Sequence, residues 1–164
     1  MLKVTIGELC ALAGHKIGPS EWVTVDQGMI DRFGALTGDM EWIHVDQARA
    51  IAAFGGTIAH GLLSLSLSPG LAQTILEISD GETVLNYGYD KMRFLSVVHA
   101  DDRVRLVITP KACTPRGDGQ LLRLEHRIEV YGKDQPALVA DWLLLFFPGV
   151  AAMAKRASLP ASIG

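Results

Sequence analysis

TGDMEWIHVD at residues 37–46 and FGGTIAHGLLSLSL at residues 54–67 are the most informative parts of this sequence. Asp39 stands five residues before His44. A carboxylate and an imidazole can together activate water, because both exchange protons under mild conditions. Gly38 disfavours a helix that continues through Asp39, so we expect the pair on a loop. The alternative is that Asp39 caps a turn and His44 is an ordinary histidine, since this spacing alone is a weak pattern.

The second part combines a glycine turn with an apolar run. Gly55 and Gly56 allow a positive φ or a close backbone approach. His60-Gly61 then opens the run, and backbone N–H groups at a helix N-terminus can stabilise a developing oxyanion. Leucines on several faces predict a buried helix from about residue 62 to residue 76. Pro69 is expected to bend that helix.

Together these motifs resemble the signature of the MaoC-like hydratases, which are (R)-specific enoyl-CoA hydratases of the hot-dog fold. The tryptophan form of the motif is closest to their NodN-like branch, and the resemblance covers about residues 21–147. It implies an α+β domain in which a long central helix is wrapped by a curved antiparallel sheet. Many relatives carry Asn-Pro two residues after the acid, where this chain has Glu41-Trp42. No role is therefore carried over from that asparagine.

The resemblance implies reversible hydration of a trans-2-enoyl thioester to the (R)-3-hydroxyacyl thioester. Asp39 and His44 would hold and activate the water, and the backbone N–H of Gly61 would meet the thioester oxygen. The supporting residues would be Ser66, His60 and Gly56. The alternative for Ser66 is a hydroxyl bonded back to its own helix.

Other functions remain open at this stage. A hot-dog acyl-CoA thioesterase would hydrolyse the same kind of ester, and a NodN-like protein could bind acyl groups without catalysis. We expect no cofactor. We also expect no metal, because no cysteine or carboxylate cluster completes a site with Asp39, His44 and His60.

Length and composition limit the remaining possibilities. A chain of 164 residues predicts one domain, here residues 1–148, followed by a loosely ordered C-terminal tail at 149–164. The net charge of −3 gives no reason to expect nucleic acid or an anionic membrane as partner. Cys10 and Cys113 cannot form a disulfide framework, which favours a reducing, cytoplasmic location. The expected partner is an acyl-CoA thioester, with acyl carrier protein as the other possible carrier.

The pattern along the chain changes from helical to strand-like after residue 76. Predicted helices cover Thr5–Ala13, a segment capped by Asp26 and a segment capped by Asp46. Predicted strands cover 21–25, 82–95, 103–110, 120–131 and 136–147. Helices followed by long antiparallel strands indicate an α+β domain. A sheet of about five strands leaves an unpaired edge, so we expect at least a homodimer.

Overall fold

The computed structural model describes residues 1–81 and 83–147. In chain order the elements are β1 (Leu2–Val4), α1 (Ile6–Ala11), β2 (Val23–Thr24), α2 (Gln27–Thr37), α3 (Trp42–Val45), α4 (Gln47–Phe54), α5 (Gly61–Ser66), α6 (Ser68–Ile75), β3 (Leu76–Ile78), β4 (Thr83–Phe94), β5 (Arg103–Arg116), β6 (Gly119–Val130) and β7 (Leu138–Phe147). None of the helices in these two ranges is long and apolar enough to cross a membrane. The predicted tail at 149–164 lies outside the described residues, and the predicted domain boundary stays a prediction.

One antiparallel sheet of five strands, in the order β2-β5-β6-β7-β4, curves around α5 and α6. A separate two-stranded parallel sheet joins β1 to β3. Apolar side chains of α5 and α6 pack with the inner face of the large sheet in one core cluster. The predicted α+β class and hot-dog fold are therefore confirmed.

Strand β6 shows why this sheet buries one face. Its side chains alternate along the strand between buried and partly exposed. Leu122, Leu124 and Ile128 are fully buried. Charged residues such as Arg123 and Glu125 occupy the other face, as expected when one side of an antiparallel sheet meets water. The predicted period of two is confirmed here.

The central helix differs from the prediction, because it is two helices rather than one bent helix. The two helices meet at Leu67, whose φ of −72° and ψ of −23° stay helical. Pro69 lies in the first turn of α6, where its missing N–H removes no hydrogen bond of that helix. The predicted burial on all sides is also wrong, since Leu62 is 55% exposed. The predicted end at residue 76 is late by one residue, because Leu76 begins β3.

The predicted caps of the helices before the site are confirmed. The Asp26 carboxylate accepts the Met29 N–H at 2.7 Å at the start of α2. Gly38 ends that helix with a φ of 78°. The Asp46 carboxylate accepts the Arg49 N–H at 3.0 Å, and Gly55 ends α4 with a φ of 80°. Glycine is favoured at both ends because other residues are strained at positive φ.

Two features of the N-terminal half were not expected. Strands β1 and β3 have three residues each, and the sequence analysis missed both. Cys10 on α1 and Cys113 on β5 are joined by a disulfide across 103 residues. Disulfides persist mainly in oxidising compartments, so this bond does not support the reducing setting inferred from the cysteine count. The cytoplasmic location stays a prediction.

Candidate active site

Asp39 lies on the short connection between α2 and α3, as the sequence predicted for a loop. Gly38 turns the chain out of α2, and Asp39 and Met40 after it are exposed. The Asp39 N–H lies 3.4 Å from the Thr37 hydroxyl oxygen. Within the two described ranges, the Asp39 carboxylate accepts no hydrogen bond and so remains available to a water or a substrate.

His44 lies on the single turn of α3 and is buried. Its Nδ1 bonds to the carbonyl oxygen of Ile58 at 2.5 Å. A carbonyl can only accept, so the proton is on Nδ1, and Nε2 of the neutral ring is the acceptor. Ile58 is held in turn by its own N–H, which donates to the Ile43 carbonyl at 2.9 Å. The imidazole therefore has a fixed orientation and a defined tautomer.

His60, at the start of α5, completes a group of three side chains. One ring nitrogen of His44, one of His60 and a carboxylate oxygen of Asp39 all lie within 4.8 Å of one another. The two imidazoles are stacked, with ring centroids 3.7 Å apart and planes 22° apart. The fold thus places the Asp39 carboxylate beside the His44 ring, although a regular helix could not do so at this spacing.

The stacking argues against a shared metal ion. Imidazole nitrogens bind metals through lone pairs that lie in the plane of the ring. Since the planes of His44 and His60 are nearly parallel and separated by stacking contact, a single ion cannot lie in both planes. The group is therefore better suited to holding water and moving protons than to coordinating a cation.

An apolar cavity of about 270 Å³ lies next to this group. His44 and Gly61 line it together with side chains of α5 and of the segment after β4. The Gly61 N–H donates to no acceptor within the part of the chain that the structure describes. A Cβ added at Gly61 would lie 3.0 to 3.1 Å from the ring carbons of Phe94. Glycine therefore leaves room for the Phe94 ring to pack against the start of α5 beside the cavity.

The three supporting residues named from the sequence lie in different surroundings. His60 is buried in the group described above. Gly56 lies beside the His99 ring, since a Cβ added there would be 3.7 Å from Nδ1 of His99. Ser66 is exposed, and its hydroxyl donates to the Leu62 carbonyl at 2.7 Å. This is the alternative bond within the helix, and the serine of α5 that lines the cavity is Ser64.

Gln27, Thr57 and Phe94 contribute to the site but were missed from the sequence. The Gln27 side-chain amide donates to the His44 carbonyl at 2.9 Å, and its oxygen accepts from the Thr57 hydroxyl. Phe94 covers Gly61 from the end of β4. These residues come together only through long-range packing, so no local spacing marked them. For these three residues, the only signal in the sequence was the position of Gln27 directly after the Asp26 cap of α2.

A second cavity of about 460 Å³ lies between α6 and the inner face of the sheet. Ala72 and Leu76 line one side of it, and Trp142 lines the other. His126 is fully buried near Trp142, with ring centroids 4.2 Å apart, and neither of its ring nitrogens has a partner in residues 1–81 and 83–147. Burial lowers the pKa of His126 to about 3, so this ring is neutral near pH 7.

A domain with this sheet, a glycine at the start of the central helix and an acid beside a fixed histidine defines a class of hot-dog hydratases and dehydratases. The family described as MaoC like domain matches residues 10–124 of the chain. The chain belongs to the MaoC-like dehydratase family.

Relatives and solved structures agree with this assignment. The chain is 37% identical over 144 residues to "3-hydroxyacyl-thioester dehydratase Z" of Mycobacterium tuberculosis, covering 87% of this chain and 95% of that protein. It is 38% identical over 149 residues to "Nodulation protein N" of Rhizobium leguminosarum bv. viciae, covering 88% and 92%. The structure of an (R)-hydratase from A. caviae involved in PHA biosynthesis superposes with a TM-score of 0.66 at 25% identity, covering 80% of this chain and 94% of that chain.

Proposed function

We propose that this protein catalyses the reversible hydration of a trans-2-enoyl thioester to the (R)-3-hydroxyacyl thioester. The observation that carries the proposal is the Asp39 carboxylate within 4.8 Å of the ring nitrogens of His44 and His60, beside an apolar cavity that Gly61 also lines. The similarity to a protein named as a 3-hydroxyacyl-thioester dehydratase supports the same chemistry in the reverse direction.

In the hydration direction, a water molecule held between Asp39 and His44 adds to C3 of the enoyl group. Asp39 takes one proton from the water as the C3–O bond forms, and the electron pair of the C2–C3 double bond moves toward the thioester oxygen. The dyad then returns a proton to C2, so that H and OH of one water are added overall. The His44 Nε2 is the ring atom that acts on the water, because Nδ1 is bonded to Ile58.

Negative charge on the thioester oxygen needs a donor during this step. The Gly61 N–H is unused by the described residues and lies at the N-terminal end of α5, where backbone N–H groups favour an anion. We propose that the Gly61 N–H donates a hydrogen bond to the thioester oxygen. The apolar cavity beside it then receives the first carbons of the acyl chain, and we take coenzyme A as the carrier, with acyl carrier protein as the other possibility.

The protein also acts as a homodimer in this proposal. Strand β4 is bonded to β7 on one side, and its other edge is unpaired in the part of the chain that the structure describes. The opposite end of the sheet is covered, because Ile17 exchanges both backbone hydrogen bonds with Ile108 of β5. Long exposed edges are normally paired or blocked, so β4 is the strand that a second copy would join.

Crotonyl-CoA distinguishes the three functions. A hydratase removes the ultraviolet absorbance of the conjugated enoyl thioester without releasing free thiol, and chiral chromatography of the product gives the (R)-3-hydroxy acid. A thioesterase releases free thiol, whereas a noncatalytic acyl-binding protein changes neither signal. Absence of hydration at high enzyme concentration, in the presence of measurable binding, would contradict the proposal.

A further inference from the structure

The His60 ring is tied to the residue that carries the site's carboxylate. His60 Nε2 lies 2.9 Å from the carbonyl oxygen of Asp39. Because a carbonyl only accepts, Nε2 carries the proton and Nδ1 of the neutral ring is bare. That Nδ1 is buried and has no partner among the described residues. Within the described residues, the hydrogen bond of the His60 ring is therefore directed at Asp39.

Apart from this bond, the structure gives Asp39 one weak hydrogen bond among the residues it describes. Its own N–H is 3.4 Å from the Thr37 hydroxyl, which is beyond the range of a strong hydrogen bond. The residues on either side are Gly38, with its positive φ, and exposed Met40. Backbone hydrogen bonds from Gly38 to Gly34 and from His44 to Glu41 anchor the two ends of the loop, and the bond from His60 holds Asp39 itself against the site.

The packing around His60 fixes the position of its ring. Only 3% of His60 is exposed, and the ring is enclosed by Phe33, at 5.1 Å between centroids, and by His44, at 3.7 Å. Gly34 on α2 allows the loop to approach, since a Cβ added there would lie 2.9 Å from the Asp39 carbonyl oxygen and 3.4 Å from the His60 ring. A buried and enclosed donor therefore meets the carbonyl of an exposed loop residue.

We propose that His60 is a positioning residue that holds Asp39 at the distance from His44 that the reaction requires. The inference rests on the proposed hydration. His60 does not line the cavity next to His44, so it acts through Asp39 and does not touch the acyl group. Misplacement of a reacting group by about 1 Å can cost about 10²-fold in rate, which sets the scale of the effect.

Two substitutions separate the hydrogen bond from the packing. His60→Phe keeps a flat ring against His44 and Phe33 but removes the donor. His60→Gln keeps a donor near the position of Nε2, because the glutamine amide reaches as far along the side chain. We expect His60→Phe to lower kcat on crotonyl-CoA by about 10- to 100-fold with little change in KM. We expect His60→Gln to keep most of the turnover.

The Asp39→Asn background tests whether the effect passes through Asp39. If His60 only positions that carboxylate, His60→Phe lowers turnover no further once Asp39→Asn is present. If His60 only stabilises the fold, the two losses are independent and multiply. A multiplied loss, or equal losses for His60→Phe and His60→Gln, would overturn the inference.

Backbone ¹⁵N relaxation gives a readout that does not depend on activity. For residues 39–41, we expect order parameters to fall from about 0.85 toward about 0.6 in His60→Phe and to stay high in His60→Gln. If the wild type is inactive on enoyl thioesters but these order parameters respond as stated, the proposed function fails and the positioning of Asp39 stands. Unchanged order parameters in His60→Phe would overturn the positioning itself.

Discussion

Each of the two site histidines has one ring nitrogen bonded to a backbone carbonyl, but not the same nitrogen. His44 uses Nδ1, with Ile58 as acceptor, and His60 uses Nε2, with Asp39 as acceptor. Because these bonds fix the tautomers, the neutral His44 ring offers Nε2 to a water molecule. His60 instead keeps its bare nitrogen buried. Two identical side chains in stacking contact therefore differ in the ring nitrogen that is bonded to the backbone.

Gly61 is the residue at which a single methyl group tests the placement of the thioester oxygen. Gly61→Ala puts a Cβ 3.0 to 3.1 Å from the Phe94 ring and beside the N–H that we assign to that oxygen. The N–H itself remains, but the methyl group blocks the approach of the thioester oxygen to it. We therefore expect kcat on crotonyl-CoA to fall by about 10²-fold, the range for losing the use of one oxyanion donor. We expect the free energy of unfolding to change by less than about 1 kcal/mol, because the helical preference for alanine offsets the tighter contact.

Gly70→Ala is the matched control for that measurement. Gly70 lies in α6, and no atom of residues 1–81 and 83–147 would lie within 4 Å of a Cβ added there. Alanine should raise the melting temperature at this position while leaving turnover unchanged, since helix propensity is the main difference. Full activity of Gly61→Ala on crotonyl-CoA would mean that the thioester oxygen is held elsewhere.

The sequence revealed the local part of the site and not its surroundings. The proximity of Asp39 and His44 could be predicted because their motif is short and the Gly38 turn lies within it. Phe94 could not be predicted, since it reaches Gly61 only after β4 has crossed the sheet. The exposed position of Ser66 also depends on where α5 faces solvent, and a run of alternating serines and leucines does not determine that orientation.

At the scale of elements, the buried face of β6 contains one polar side chain among leucines and isoleucines. His126 is fully buried on this strand, and its ring nitrogens lack partners in the part of the chain that the structure describes. Burial lowers its pKa from 6.5 to about 3. The unfolded chain therefore binds a proton before the folded chain does as the pH falls. The preference of the folded chain for a neutral His126 therefore costs no stability above about pH 6.5. As the pH falls from about 6.5 toward about 3, the free energy of unfolding decreases.

His126→Leu should remove this dependence. Between pH 6.5 and about 3, the free energy of unfolding of the wild type should fall more steeply than that of the variant, by up to about 1.4 kcal/mol per pH unit. At pH 7 the variant should be more stable by about 1 to 3 kcal/mol, because two unsatisfied nitrogens are removed from the core. Urea unfolding at about pH 7 and about pH 5 measures both effects. If the free energies of unfolding of wild type and variant differ by the same amount at both pH values, His126 does not cause the pH dependence.

The long strands could be predicted because their alternation repeats over many residues. The break in the central helix could not, since apolar residues continue on both sides of Leu67 and the sequence placed Pro69 inside a single helix. In the structure Pro69 starts a helix, which is a favourable position for proline. Strands β1 and β3 have only three residues each, too few to show a period.

At the scale of the whole molecule, the edge of β4 that no described strand pairs is the surface that should join two copies. Several apolar side chains of this strand are exposed, among them Val84 at 45% and Leu85 at 40%. Sedimentation equilibrium at micromolar concentration should give a mass of about 35 kDa, twice the 17.7 kDa of the chain. A monomer at that concentration would contradict the proposed dimer.

A charged residue introduced on the edge of β4 tests whether this strand forms the interface between the two copies. Leu85→Lys should shift the protein toward the monomer, because lysine on an edge strand opposes pairing with another chain. Leu36→Lys is the matched control, since Leu36 is 84% exposed on α2 rather than on β4. If both variants stay dimeric, the contact between copies uses another surface.

The fold class followed from the order of helices and strands. The way in which β1 and α1 pack against the rest of the domain did not follow from any sequence pattern. The disulfide between Cys10 and Cys113 depends on α1 lying against β5, and nothing in the spacing of two cysteines indicates that contact. The same holds for the small parallel sheet of β1 and β3. Sequence patterns report which faces are buried and leave open which elements meet.

The central claim is that Asp39 and His44 together activate water, and turnover of crotonyl-CoA by two variants tests it most directly. Asp39→Asn removes the base, and His44→Asn keeps a donor near Nδ1 for the Ile58 carbonyl while removing Nε2. Each variant should lower kcat by about 10²-fold or more, with a melting temperature within a few degrees of the wild type. Turnover near the wild-type value in either folded variant would show that the dyad does not carry the reaction.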